Sequence, residues 1–241
     1  MNKIALLFFS LIILFITSCQ KDPQNNTEHT TLIGGVSYDN TTGLNSDNTS
    51  MADFRDSSVY AVVQLGNQYW MAENLNYNVG GSWLNPSNPT DAYGRLYDWT
   101  TVMNGASSSS SNPSGVQGIC PNGWHLPSDE EWNELEISLG MATSDTSLIN
   151  QDRGTHGTGM KSVTGWNSGG NGTDSSGFNA FPAGAYNGSY ILFGDNAAFW
   201  SATEIGTPDA WSRMLTNTST GVNRYGSNSK SYGLSCRCLK D

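Results

Sequence analysis

Cys120-Pro121-Asn122-Gly123-Trp124-His125-Leu126-Pro127-Ser128-Asp129-Glu130-Glu131-Trp132 packs a cysteine, two tryptophans, a turn and a helix start into one short run. Pro121-Asn122-Gly123 is turn chemistry, because Asn and Gly tolerate positive φ. Trp124 and Leu126 alternate as a short strand would, and Pro127, with no N–H to donate, stops it. Ser128 followed three residues later by Glu131 reads as a capping box, and Asp129 and Glu130 favour the positive end of the helix dipole. Trp132, Leu135 and Leu139 then share one helical face, and Gly140 is a natural stop. The spacing predicts a helix over 128–140.

Working outward, Val59 to Leu65 is β-branched and apolar, and Gly66-Asn67 followed by Gln68 to Met71 reads as a hairpin return. Asp91 to Asn104 holds a short helix around Tyr97, Trp99 and Val102. Ala106 to Gly118, with five consecutive serines, is expected to be a mobile loop. The glycine-rich stretch from Thr143 to Asn196 reads as excursions on a scaffold, with Phe178 to Ala183 extended. Phe199 to Thr203, Ala210 to Thr216 and Tyr232 to Leu239 read as three closing strands, with Gly221, Val222 and Asn223 in the turn region before the last. One early helix and a closing antiparallel sheet predict an α+β, loop-rich domain.

The N-terminus reads as a targeting segment over 1–18. Lys3 is a minimal positive region, and Ile4 to Ile16 is apolar apart from Ser10, too short a run for a spanning helix of about 20 residues. It ends in Ile16-Thr17-Ser18-Cys19, which resembles a bacterial lipobox and implies a lipid on the Cys19 thiol. Gln20-Lys21-Asp22 resembles a short export tag for the outer face of the outer membrane. Residues 19–51 are rich in Asn, Thr, Ser and Asp, which predicts a flexible tether. Leu32, Ile33 and Val36 offer a brief strand within it. Residues 52–241 are long enough for one domain with a sizeable core.

Charged residues are only 13% of the chain, against 27 glycines and 8 tryptophans. That composition predicts a core built on large aromatics. The formal net charge of −10, with no Lys/Arg cluster, argues against nucleic acid and polybasic membrane binding. Nucleophile elbows, phosphate loops, His-Glu-x-x-His and calcium EF-loops are missing from the sequence. His29 falls in the tether, His125 is expected to be packed and hydrogen-bonded, and His156 to be an exposed bystander. Asp91, Asp98, Asp152, Asn171, Asp174 and Asp195 offer oxygen ligands that keep calcium possible as a cofactor, without a motif to organise them. Among loop aromatics, Trp83, Tyr93, Tyr186, Tyr190, Trp211 and Tyr225 are candidate binding anchors. Trp211 reads better as core, and Tyr186 and Tyr190, flanking Gly188, are the preferred ligand-binding pair.

The opening stretch also resembles the signature of the Fibrobacter succinogenes major paralogous domain, found mostly in secreted and surface proteins of Bacteroidetes. Five further blocks agree in order: Gly66 to Tyr77, Gly94 to Trp99, Gly177 to Gly184, Phe199 to Glu204, and Ser235 to Asp241. The resemblance covers roughly residues 52–241. It implies a scaffold similar to C-type-lectin-like and formylglycine-generating domains. It also implies a disulfide between Cys120 and Cys238, with Cys236, where the family usually has Val, as a buried free thiol or a competitor for the same partner.

These readings predict a surface-anchored, non-catalytic lipoprotein, membrane-bound through Cys19 and recognising a glycan or an extracellular protein. The enzyme alternative is an oxidase of the formylglycine-generating type using Cys236 and Cys238. A third reading is a structural component of an outer-membrane assembly.

Overall fold

The computed structural model describes residues 29–241. The apolar leader, Cys19 and Gln20-Lys21-Asp22 lie outside the described residues. In chain order, strands β1 (Thr30–Ile33) and β2 (Val36–Asp39) form a hairpin, and β3 (Ser50–Asp53), β4 (Ser58–Leu65) and β5 (Gln68–Met71) form a meander. Then come β6 (Ser82–Trp83), β7 (Leu96–Tyr97), helix α1 (Trp99–Met103), β8 (Trp124–His125), helix α2 (Asp129–Ser138), β9 (Asp152–Arg153) and helix α3 (Gly157–Met160). A small hairpin, β10 (Ala185–Tyr186) and β11 (Tyr190–Ile191), precedes the long strands β12 (Asn196–Glu204), β13 (Asp209–Thr216) and β14 (Val222–Ser229). Two short strands, β15 (Leu234–Ser235) and β16 (Leu239–Lys240), end the chain. The result is a loop-rich α+β domain, mostly sheet, with short helices.

Two sheets organise it. A seven-stranded sheet runs β6-β7-β15-β12-β13-β14-β9, and a five-stranded sheet runs β3-β4-β5-β16-β8. Strand β12 is buried along nearly its whole length, so its period-2 alternation feeds two cores. Ala197 and Phe199 join Trp70, Trp132, Leu135 and Phe178 on one side. Ala198, Trp200 and Ala202 join Met51, Trp99, Trp124, Cys236 and Cys238 on the other. Strand β5 divides the same way, with Trp70 in the first core and Met71 in the second.

Helix α2 forms because its cap is complete. Ser128 Oγ accepts from Glu131 N at 3.2 Å, and the Glu131 carboxylate accepts from Ser128 N at 2.8 Å. Trp132 and Leu135 are fully buried beneath it. The β4–β5 hairpin follows the expected register, with Leu65 opposite Gln68.

Four expectations need correction. The tether reading fails from Thr30 onward, because the polar chain is ordered by its own side chains and pinned by a few apolar ones. Asp39 Oδ1 accepts from Thr41 N and Thr42 N, and Asn45 Oδ1 from Thr49 N and Ser50 N. Tyr38, Leu44 and Met51 are buried, and Trp124 Nε1 donates to Thr42 O at 2.6 Å. Gly123 (φ +78) leaves room for this crossing, since a Cβ there would lie 2.8 Å from Thr41 O. Secondly, Val222 to Ser229 is a full strand rather than a turn region, paired to β13. Thirdly, 232–239 is not one strand. Ser235 pairs with Phe199 in the large sheet, whereas Leu239 pairs with Trp70 and His125 in the other. Lastly, the serine loop is fastened: Ser109 N donates to Ala202 O, Thr203 Oγ1 to Ser109 O and Glu204 N to Ser108 Oγ.

Because Met51 is fully buried while Leu32 is 71% exposed, the two positions should separate sharply. Met51→Ala is expected to cost about 2–5 kcal/mol in denaturant unfolding, and Leu32→Ala less than about 0.5 kcal/mol. Equal effects would contradict the packing of this segment onto the core.

Candidate functional site

The cap of α2 places His125 between two carboxylates. Its Nε2 lies 2.7 Å from Glu131 Oε1 and its Nδ1 2.7 Å from Asp241 Oδ1. Glu131 Oε2 meanwhile accepts from Ser128 N and Ser114 N, so the carboxylate cannot swing away. Burial pulls the His125 pKa down, but the hydrogen bonds and charges of Glu131 and Asp241 outweigh it, and the net direction is up. His125 is packed and hydrogen-bonded within this relay.

The other face of α2 carries a buried ionic network. Arg213, fully enclosed, donates to Glu136 Oε1 at 2.6 Å, Asp129 Oδ1 at 2.6 Å and Asn133 Oδ1 at 3.0 Å. Arg153 bonds Asn133 and Glu136, and Arg224 forks onto the Asp129 carboxylate. Burial alone would raise Asp129 and Glu136, yet the Arg213 charge and its neighbours hold both below their ordinary values. Arg153 is pushed down to about 10 by burial and by the Arg213 charge. His156 belongs here, with its side chain only 2% exposed and Nε2 3.3 Å from Glu136 Oε2. It is therefore not an exposed bystander. Sequence reasoning missed these arginines, whose only signal was their position among apolar strand residues in a chain with few charges.

Three sulfurs meet at the centre. Cys120 and Cys238 form a disulfide with a Cα–Cα distance of 5.8 Å, and Cys236 is a buried free thiol. All three Sγ atoms lie within 4.8 Å of one another. Burial pushes the Cys236 thiol up to about 12, which leaves almost no thiolate at neutral pH.

Tyr186 and Tyr190 face each other across the small hairpin, ring centroids 5.2 Å apart and edge to face. Trp83, far earlier in sequence, stacks on Tyr186 at 4.4 Å and 19°. Gly233 permits that stack, because a Cβ there would meet Trp83 at 2.9 Å and Tyr186 at 3.0 Å. Tyr190 Oη donates to Leu84 O at 2.8 Å, and Tyr190, Leu84 and Leu192 are 38%, 46% and 47% exposed. The pair thus opens onto a partly exposed aromatic ledge.

Other candidates do not join it. Tyr93 is buried against Phe181 and Phe193. Trp211, read as core, is half-buried on the surface beneath the Arg224 guanidinium at 3.6 Å, and Tyr225 is half-buried on β14. The six oxygen donors are dispersed into local roles. Asp98 caps α1, Asp174 accepts from Asn179 N, Asn171 from Trp166 N, and Asp195 from Asn167 and Asn217. Asp152 meets Asn223 at 3.5 Å, and Asp91 opens a single 3-10 turn. Among the described residues, the three cysteines are the one cluster of three or more His, Cys, Asp or Glu ligand atoms, and two of those sulfurs are already bonded to each other.

The family model of the Fibrobacter succinogenes major domain matches residues 63–240. Neither the curated proteins nor the solved structures give a match.

Two outcomes follow from this chemistry. Cys236 should resist a thiol reagent in the native protein and react once guanidinium unfolds it, and that increment should vanish in Cys236→Ser. Native-state reaction would contradict its burial. For His125, the raised folded pKa means its contribution is full below the unfolded value of about 6.5 and is lost as pH rises through the folded value. The stability difference between wild type and His125→Asn should therefore shrink from pH 5 toward pH 9 in urea titrations.

Proposed function

We propose that this chain, which belongs to the Fibrobacter succinogenes major domain family, is a non-catalytic recognition module for glycans, carried on the cell surface by a lipid on Cys19. The observation that supports this most is the Trp83–Tyr186–Tyr190 ledge. Aromatic rings offer a large rigid surface at little entropic cost, and their faces complement the C–H faces of sugar rings. Here the rings are fixed by each other and by the Tyr190–Leu84 hydrogen bond, so little order has to be gained on binding. A protein partner would use the same ledge, with Leu84 and Leu192 extending it.

The scaffold reading goes with this proposal. A C-type-lectin-like arrangement, in which short strands hold long loops on one sheet, accounts for the glycine-rich excursions and for a ligand surface built on a loop hairpin. The oxidase alternative requires a reactive pair at Cys236 and Cys238. A buried, weakly acidic Cys236 beside a bonded Cys238 weighs against it. An assembly role keeps the same ledge as its contact surface.

Screening the full-length protein on glycan and host-protein arrays, with and without calcium, tests the reading. Specific binding should weaken at least about tenfold, or about 1.4 kcal/mol, in Tyr186→Ala/Tyr190→Ala. Silence from the folded, disulfide-bonded protein would sink the glycan proposal and favour the assembly role.

A further inference from the structure

The β1–β2 hairpin is a two-stranded sheet of its own, outside the span matched by the family model. Its base is clamped to the domain. Tyr38 is buried with Oη 3.3 Å from Ser50 Oγ, Asn40 N donates to His29 O, and Thr31 Oγ1 donates to Asn40 Oδ1. Its tip stands clear. Gly34 and Gly35 turn the chain at φ +57 and +85, as a tight two-residue hairpin loop requires, and a Cβ on either would meet nothing within 4 Å. The pairings Ile33↔Val36 and Leu32↔Ser37 put Ile33 and Val36 on one face and Leu32 on the other. Leu32 is 71% exposed and Val36 41%, and Thr30 to Tyr38 carries no charged side chain.

We propose that this tip dips into the lipid surface beside the Cys19 anchor, as a second, shallow membrane contact that fixes how the domain stands. Two observations select lipid over a protein partner. A docking groove covers one face of a hairpin, whereas here apolar side chains project from both, which suits a medium that surrounds the tip. The chain also brings the tip to the membrane. Cys19 stands eleven positions before Thr30, a span of at most about 40 Å at full extension. The tip lies three residues further along β1, about 10 Å. A lipid on Cys19 makes the contact intramolecular, so a few apolar side chains suffice where they would fail for a dissolved protein. Depth is limited to the headgroup boundary, because the Gly34-Gly35 peptide groups lie beyond the last paired residues and need water. With an acidic net charge and no Lys or Arg in the hairpin, the contact owes nothing to anionic lipid. The inference rests on the lipid-anchor part of the proposed function and not on the aromatic ledge.

The test uses the full chain isolated from membranes, its Cys19 lipid checked by mass spectrometry, in phosphatidylcholine vesicles. Leu32→Cys carries the environment-sensitive fluorophore NBD, since the buried Cys236 does not compete for the label. Asn187→Cys, on the exposed turn of the ledge hairpin, is the comparison. Emission at 32 should be quenched more by lipids bearing a nitroxide near the headgroup than by lipids bearing it at the chain end. Anionic lipid and salt should not change it, and emission at 187 should stay that of water. Val36→Asp should lower the inserted-to-free ratio at least roughly tenfold. The reciprocal pair, the label at Val36→Cys with Leu32→Asp, guards against a local folding defect. An aqueous, unquenched signal at 32 on lipidated protein would overturn the proposal and leave the anchor standing. A signal that rises with protein density and ignores the nitroxides would give the tip to a second copy and overturn it too. Lack of lipid on Cys19 would remove the anchor and the tip contact together, with the aromatic ledge untouched.

Discussion

Arg237 carries the chain from one sheet to the other through the protein interior, and the two cores close around it. Its guanidinium is fully buried and donates to the carbonyl oxygens of Met71, Phe178 and Asn179 and to Asn74 Oδ1. It also lies over the Phe178 and Phe199 rings, 4.6 and 5.4 Å from their centroids. Burial pushes its pKa down to about 9, still above neutrality, so the cation persists where carbonyl dipoles and ring faces must stabilise it. Cys236 and Cys238 flank it, and their carbonyls receive Leu75 N and Met71 N. Three consecutive residues thus join both sheets, the disulfide and the glycine-rich loop.

That junction sets where the aromatic ledge and the His125 pair sit. Upstream of it, β15 places Gly233 under the Trp83–Tyr186 stack, with reciprocal backbone hydrogen bonds to Tyr186. Downstream, β16 pairs with His125 and delivers Asp241 to its Nδ1. The ledge and the His125–Asp241 contact are therefore opposite ends of one short run of chain. The buried arginine network does a different job, locking α2 onto β13 and β14 from the far side. Removing one partner there would strand a charge, which is costlier than never having built the pair.

Local chemistry was legible in the sequence, and long-range pairing was not. Helix α2, its capping box and the β4–β5 hairpin were readable because every determinant lies within a few residues. Strand β14 was not, since Val-Asn-Arg-Tyr-Gly-Ser-Asn-Ser has little strand propensity and exists by pairing with β13. The division of 232–239 between two sheets depends on partners at Phe199 and Trp70, which no local pattern announces. The ordered N-terminal segment misled composition-based reading, because three buried side chains and a set of Asx turns suffice to hold it. For the sites, the tyrosine pair was found as a loop feature, whereas Trp83 beneath it was named without its partner. His125 was recognised as packed, but its link to Asp241 spans 116 positions and had no sequence signal.

The spare thiol has a consequence for how the protein fails. While the fold is intact, Cys236 sits beside the Cys120–Cys238 bond with its proton held tightly, so exchange is suppressed. Once the chain opens, that thiol recovers an ordinary acidity near 8.5, with a disulfide in the same molecule to attack. Scrambled bonds then accumulate faster as the solution becomes more alkaline, and the open chain no longer returns to its starting state. Survival under heat is thus a matter of how rarely the molecule opens, a lifetime rather than an equilibrium.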